Sequence, residues 1–399
     1  MIKYAILTSM DIIDEILNRG VANIIPSKEL LEKELKTGRK LNIYLGIDPT
    51  FTKLHIGNGV VLRKIEQFAS AGHNVTFLIG DYTTLIGDTS DKDSERPNLT
   101  KEQIEENFKT YKKQAEKILD FSKVKVRYNS EWLGKLTYEE IVKLTKNFSL
   151  GDFISRELIK KRLNEGKYIN LSEVLYPVAQ AYDSFSMDTD IQVGGTDQTF
   201  NMQAGRTLQK NWKNKESFVL TTPILEGTDG RKMSKSYDNA IWLDDNAFDM
   251  YAKVMAINDD LILQYYLLAT SVPMEKVTQI EKTLKDGESP MIIKKSLAFE
   301  IVKELHGDEE AKKAKENFEK TVQNKELPTD IPTVKIKDKN QTIEDLLYGE
   351  KIIESKSEIK RLSEQGGLSL NDKGIKSEDM AEEGILKIGK NRYYKLISS

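Results

Sequence analysis

The sequence predicts an α/β fold built on a parallel sheet with a helical insertion, followed by an α-helical region and a small α+β tail. Three observations predict it. Between about 40 and 225, short apolar runs alternate with amphipathic helical patterns, as strands joined by crossover helices do. Beyond about 245 the strand signal stops and helical periodicity continues to about 322. A segment with two prolines, NKELPTDIPT (324–333), then precedes a last stretch in which alternation returns.

Each element has its own signal. LNIYLGID (41–48) reads as a strand, and a helix follows the turn at Pro49 and ends near Gly72. NVTFLIGD (74–81) is a second strand. Thr100 and Gln103 form a T-x-x-Q capping box, after which Ile104, Phe108, Tyr111, Ala115 and Ile118 recur at helical spacing. KVKVRYN (123–129) alternates with period two. The helix-rich stretch from about 135 to 188 lies between strand signals and reads as an insertion. DIQVGG (190–195) precedes a helix to Trp212, and SFVLTTPIL (217–225) is a further strand. The division that results is a sheet domain over 1–228, a helical domain over 229–325, a linker over 326–333 and a small domain over 334–399. Ligands of such a sheet are expected at the carboxyl ends of its strands, at the switch point of the strand order.

Composition bounds the chemistry. At 399 residues, 39% of them apolar, the chain has enough material for two or three packed domains. It has no cysteine, which excludes disulfides, iron–sulfur clusters, zinc fingers and thiol catalysis. Its three histidines, His55, His73 and His306, are too scattered for a local metal site. No stretch approaches the roughly 20 apolar residues of a membrane helix, and the patch Tyr4–Leu7 is too short for a signal segment. A soluble, cytoplasmic chain without a membrane partner is the expectation. With a net charge of −3, an RNA partner would have to be met by local basic patches.

Two motifs suit a nucleotide. H-I-G-N, His55–Asn58, sits in a turn between a strand and a helix. Gly57 allows backbone to approach a phosphate, the helix start supplies free N–H groups, and His55 and Asn58 can donate hydrogen bonds. The competing reading is a histidine that caps a turn. K-M-S-K-S, Lys232–Ser236, follows the turn GTDG (227–230), and its two lysines lie three apart. Such a mobile cationic clamp suits a triphosphate whose leaving pyrophosphate gathers charge in the transition state. The alternative is a solvated lysine loop.

Other residues suggest a pocket. Tyr176, Gln180 and Asp183 are spaced i, i+4, i+7 and share one helix face. A phenol, an amide and a carboxylate together fit a zwitterionic, hydroxylated ligand, although a half-exposed amphipathic helix gives the same spacing. Asp197, in GGTDQ after a strand, is placed to bind a ribose hydroxyl, with Gly195 letting the sugar approach; it could equally cap the next helix. Asp48 ends a strand. His73 and His306 read as helix-end residues, and Trp132, Trp212 and Trp242 as packing residues.

H-I-G-N with K-M-S-K-S resembles the signature pair of class I aminoacyl-tRNA synthetases. From near Met10 to the carboxyl terminus the chain resembles the bacterial-type tyrosyl-tRNA synthetases. YLGIDPT (44–50), LIGDTSDKDSER (85–96), VLYPVAQAYD (174–183) and QVGGTDQ (192–198) carry the match beside K-M-S-K-S. Two positions depart from the family pattern. Asn58 replaces the last histidine of the usual first motif, so it can donate but not carry charge, and the lysine loop is undegenerate.

The resemblance implies a Rossmann-like catalytic domain that joins L-tyrosine to tRNA(Tyr) through tyrosyl-adenylate. ATP enters as substrate with Mg2+ on its phosphates, and no resident metal or organic cofactor is expected. His55, Asn58, Lys232 and Lys235 would hold the triphosphate, with Lys92 and Arg96 as mobile basic residues. Gly57, Gly195, Asp197, Met233, Ser234 and Ser236 would complete the ATP site. Tyr44 and Asp183 would meet the phenolic hydroxyl, Tyr176, Gln180 and Asp88 the ammonium, and Gln198 the carboxylate, with Asp48 close by. The tail resembles an RNA-binding domain of a small-subunit ribosomal protein, with Lys387, Lys390, Arg392 and Lys395 toward tRNA. A homodimer is implied as well. A tryptophanyl enzyme is the rival within the class, disfavoured because an indole would strand Tyr44 and Asp183. An inactive RNA-binding scaffold is the rival outside it.

Overall fold

The computed structural model describes residues 9–50, 52–87, 100–234, 237–323, 331–338, 340–353, 355–389 and 392–398. The chain divides into two compact units, Met1–Asp245 with Lys253–Gly307, and Asn246–Ala252 with Asp308–Ser399.

The first unit is built on a six-stranded sheet: β1 (Asn23–Ile25), β2 (Asn42–Ile47), β3 (Asn74–Ile79), β4 (Val124–Tyr128), β5 (Ile191–Gly195) and β6 (Phe218–Thr222). The order is β1-β6-β5-β2-β3-β4. β2 through β6 are parallel, as the alternation predicts, while β1 is an antiparallel edge strand that the sequence reading missed. At three residues it is too short to show a period. From β2 the chain winds outward through β3 and β4, then returns to β5 on the other side of β2. The carboxyl ends of β2 and β5 therefore flank the switch point, where such sheets bind ligands.

Caps set the helix starts. The first crossover helix runs Ile56–Ser70, later than the turn at Pro49, because His55 is its N-cap. The T-x-x-Q box at Thr100 and Gln103 opens helix Lys101–Ala115 with both reciprocal hydrogen bonds. Helix Ile56–Ser70 packs on β2, β3, β5 and β6, and helix Thr199–Lys213 on β5, β6 and helix Leu171–Ser186. The insertion is helical and shares a cluster with helix Thr199–Lys213, Phe153, Val174 and Val178 being buried against Ala204 and Leu208. No helix among the described residues is long and apolar enough to cross a membrane.

The second unit carries a five-stranded sheet: β7 (Thr333–Ile336), β8 (Leu368–Leu370), β9 (Lys373–Gly374), β10 (Gly384–Ile388) and β11 (Arg392–Ser398), ordered β7-β11-β10-β8-β9. Its core holds Ile343, Leu346, Leu347, Ile359, Leu368, Leu386 and Ile388. The end of the proline segment is an edge strand, since Thr333 begins β7 and pairs parallel with β11.

Candidate active site

Of the residues singled out in the sequence, Asp48, Asp197 and Gln198 lie at the carboxyl edge of the first sheet, beside Gly80, Thr83, Asn129 and Trp132, which the sequence reading did not mark for the site. Asp48 follows β2, Gly80 and Thr83 follow β3, Asn129 and Trp132 follow β4, and Asp197 and Gln198 follow β5.

Asp183, on helix Leu171–Ser186, is buried at 3% exposure. Its Oδ1 accepts the Trp132 indole N–H at 2.6 Å, and its Oδ2 accepts from Asn129 Nδ2 at 3.1 Å. Burial pushes the Asp183 carboxyl up to about 8, the Trp132 and Asn129 donors opposing and the charges of Asp48 and Asp81 adding. Trp132 is thus not the mere packing residue that its type suggests, since a buried indole N–H seeks an acceptor. Asn129 also donates to Thr83 Oγ1 at 2.9 Å, and Thr83 donates to Asp48 Oδ1 at 2.8 Å. The Tyr176 hydroxyl donates to the other Asp48 oxygen at 3.0 Å. One hydrogen-bonded chain therefore joins Asp183, Asn129, Thr83, Asp48 and Tyr176. Gly80 makes room for it, because a Cβ there would collide with the Asp48 carboxylate and the Thr83 hydroxyl.

Tyr44 lies on β2, buried at 3% exposure. Burial raises its phenol well above the ordinary range, the Asp183 charge adding and a Gln180 hydrogen bond opposing. Tyr44, Gln180 and Asp183 thus act on one another, while Tyr176 reaches Asp48. Gln198 accepts from Asn201 Nδ2 at 3.2 Å. Asp197 does not cap the helix: the segment enters through a short 3-10 turn at Thr196–Gln198, whose N-cap position is Gly195. Asp197 stays exposed beside Gly195, where a Cβ would collide with its carboxylate.

For H-I-G-N the capping reading is realised. The Asn58 backbone N–H donates to His55 Nδ1 at 3.3 Å, while Asn58 Oδ1 accepts from the His55 N–H at 3.0 Å. The ring's proton is then on Nε2, and the Asn58 side chain keeps its amide N–H groups, so capping aims two donors instead of consuming them. Burial, with Lys232 nearby, holds the imidazole down to about 4, so it is neutral at pH 7. A Cβ at Gly57 would come 2.9 Å from His55 Nδ1. Trp242 packs on the ring at 6.0 Å between centroids.

The lysine loop is held by Asn239, which the sequence reading missed. Asn239 is buried; its Oδ1 accepts from Ser234 N at 2.9 Å, and its Nδ2 donates to Asp229 at 2.7 Å and to the Lys232 carbonyl at 3.2 Å. Met233 is buried and anchors the loop. Asp88, Lys92, Arg96, Lys235, Ser236 and Lys390 lie outside the described residues. Among the described residues no group of three or more His, Cys, Asp or Glu could hold a metal.

In the second unit Lys387 opposes Tyr393 and Ile385 opposes Lys395, so Lys387, Tyr393 and Lys395 share the face away from the core. Lys387 lies over the Tyr393 ring, 5.4 Å from its centroid. Arg392 opposes buried Ile388 and so belongs to the other face.

A buried polar network beside a capped helix start, both at the switch point of a parallel sheet, is the arrangement expected of a class I nucleotide-activating enzyme. Residues 36–323 match the family described as tRNA synthetases class I (W and Y). The chain is 42% identical over 390 residues to the tyrosine–tRNA ligase of Thermotoga maritima, covering 96% of each chain. It is 41% identical over 398 residues to that of Carboxydothermus hydrogenoformans, covering 96% of this chain and 97% of the relative. In fold it is similar to a truncated mitochondrial tyrosyl-tRNA synthetase of Aspergillus nidulans, with a TM-score of 0.63, 22% identity, and 76% of this chain and 92% of that one covered. The chain belongs to the class I tRNA synthetases for tryptophan and tyrosine, and within them to the bacterial-type tyrosyl-tRNA synthetases.

Proposed function

We infer that this chain is the ligase that joins L-tyrosine to tRNA(Tyr) at the expense of ATP. The observation that carries the amino-acid choice is the buried end of the pocket, where Tyr44 and Asp183 lie together with Asp183 held by Trp132 and Asn129. A bare phenyl ring or an indole would leave the remaining acceptor capacity of Asp183 and Tyr44 unmet at the buried end, which is costly. In the first step the tyrosine carboxylate, already ionised, attacks the α-phosphorus of ATP. The α–β phosphoanhydride bond breaks, and pyrophosphate leaves with its electron pair. No general base is needed, so catalysis is positioning and charge stabilisation.

His55 Nε2–H and the Asn58 amide donate to triphosphate oxygens. Lys232 and Lys235 follow the charge onto pyrophosphate, assisted by Lys92 and Arg96, while Gly57 and the loop residues Met233, Ser234 and Ser236 form the backbone against the nucleotide. Asp197 takes the ribose across Gly195. Tyr176, Gln180 and Asp88 surround the ammonium, Gln198 lies near the carboxylate, and Asp48 holds Tyr176. Magnesium arrives on the phosphates as part of the ATP substrate.

In the second step a hydroxyl of the terminal ribose of tRNA attacks the tyrosyl carbonyl, and AMP leaves. The outward face with Lys387, Tyr393 and Lys395 supports RNA binding by the tail, where cations and an aromatic ring meet backbone and bases; Lys390 belongs to the same reading, while Arg392, on the other face, does not join it. A homodimer belongs to the same reading of the chain, with exposed Tyr138, Leu150, Tyr168 and Leu171 of the insertion as its candidate contact residues. The setting is the cytoplasm, where charged tRNA is consumed.

The test is amino-acid-dependent ATP–pyrophosphate exchange on the purified chain without tRNA, comparing tyrosine, phenylalanine and tryptophan. Exchange with tyrosine alone is expected. Exchange with tryptophan would refute the pocket reading, and none with any amino acid would favour the scaffold.

A further inference from the structure

Gln192 has no role in the scheme above, yet its surroundings are built around it. It sits on β5 as the register partner of Tyr44 on β2, fully buried. Its Nε2 donates to the Met202 carbonyl at 2.8 Å, a group that can only accept. That contact turns the amide so that Oε1 faces Tyr44, whose hydroxyl donates to it at 3.1 Å. Room for the amide against helix Thr199–Lys213 exists because residue 205 is glycine. A Cβ there would come 2.5 Å from Oε1 and 2.8 Å from Nε2.

We propose that Gln192 is a positioning residue that determines specificity, holding the Tyr44 hydroxyl so that the pocket can tell a phenol from a bare ring. The proposal rests on the reading of tyrosine as substrate. The Tyr44 hydroxyl can turn about its C–O bond, and the charge it feels most is that of Asp183. Left alone, its proton is drawn toward that carboxyl whenever it is ionised and competes with an incoming phenol. Committed to Gln192, the proton stays away from Asp183, which is left to meet the ligand's hydroxyl. The anchor is rigid because its far end is a backbone carbonyl within a helix.

The experiment is a double-mutant cycle on the full chain, read by ATP–pyrophosphate exchange with tyrosine and with phenylalanine. Gln192→Met is expected to lower kcat/KM for tyrosine about tenfold and to change that for phenylalanine by less than about threefold. In a Tyr44→Phe background the same substitution is expected to have an effect of no more than about twofold, because the hydroxyl it holds is gone. Should Gln192→Met not fold, Gly205→Ala displaces the amide from the helix side and is expected to narrow the same preference. Equal losses for both amino acids, or effects that simply multiply in the double variant, would mean that Gln192 is only packing and overturn the proposal. A wild-type chain without tyrosine-dependent exchange would overturn the functional reading and this proposal with it. Normal discrimination by wild type and both variants would overturn the proposal alone.

Discussion

Trp132→Phe removes the indole N–H from the site together with part of the ring. The indole N–H donates to Asp183 at 2.6 Å, and the Arg127 guanidinium lies 4.8 Å from the ring centroid, a contact that phenylalanine can keep in part. Above about pH 8, where Asp183 is ionised, an N–H bond to this carboxylate contributes about 1.5–3 kcal/mol net, so the comparison is made there. Asp183 retains the Asn129 donor at 3.1 Å, so the lower half of that range applies. At about 1.4 kcal/mol per factor of ten, the expected loss in kcat/KM for tyrosine is roughly ten- to fortyfold. Phenylalanine, which has no hydroxyl for Asp183 to meet, should lose less than about threefold. The assay is ATP–pyrophosphate exchange with both amino acids, beside a thermal melt to show that the fold persists. An equal loss for both, or an unchanged rate with tyrosine, would refute the argument that Trp132 acts through Asp183.

Four further outcomes are expected. Between pH 4 and 6.5 the unfolded chain binds a proton that the folded His55 ring refuses. Stability should therefore rise with pH through that window, by about 3 kcal/mol in all, and be lost as pH falls. His55→Asn, which keeps a capping oxygen, should flatten this in urea titrations; an unchanged slope would show that the ring is not the source. Asn239→Ala should lower kcat for exchange about tenfold with tyrosine KM within about twofold, since it loosens the lysine loop and not the amino-acid pocket. Replacing Lys387 and Lys395 together by alanine should leave exchange intact, weaken tRNA charging, and reduce the log–log salt slope of binding by about one to two. Tyr168→Asp with Leu171→Asp should shift a dimer toward monomer in sedimentation equilibrium; a wild-type chain already monomeric would end that reading.

Much of this was legible because it is local. A capping box needs only residues three apart, so Thr100 with Gln103 could be read from spacing, whereas the His55 box with Asn58, which leaves His55 Nε2 as the donor, came only from the coordinates. The apolar runs that became β2 to β6 and the helical face with Tyr176, Gln180 and Asp183 are periodicities of two and 3.6. Even the switch point was expected in kind, since alternating strands and helices imply a parallel sheet.

What the sequence by itself determined, then, is which segments are strands and helices and which residue types the nucleotide turn carries. Tertiary structure alone decided which distant groups meet. Trp132 reaches Asp183 across 51 positions, Asn129 across 54, and Tyr44 meets Gln192 across 148. Those pairs exist because the sheet order puts β5 beside β2 and turns the end of β4 toward the pocket helix. No periodicity encodes that order. It follows from burying all the apolar faces at once, a property of the whole chain that no window of residues contains.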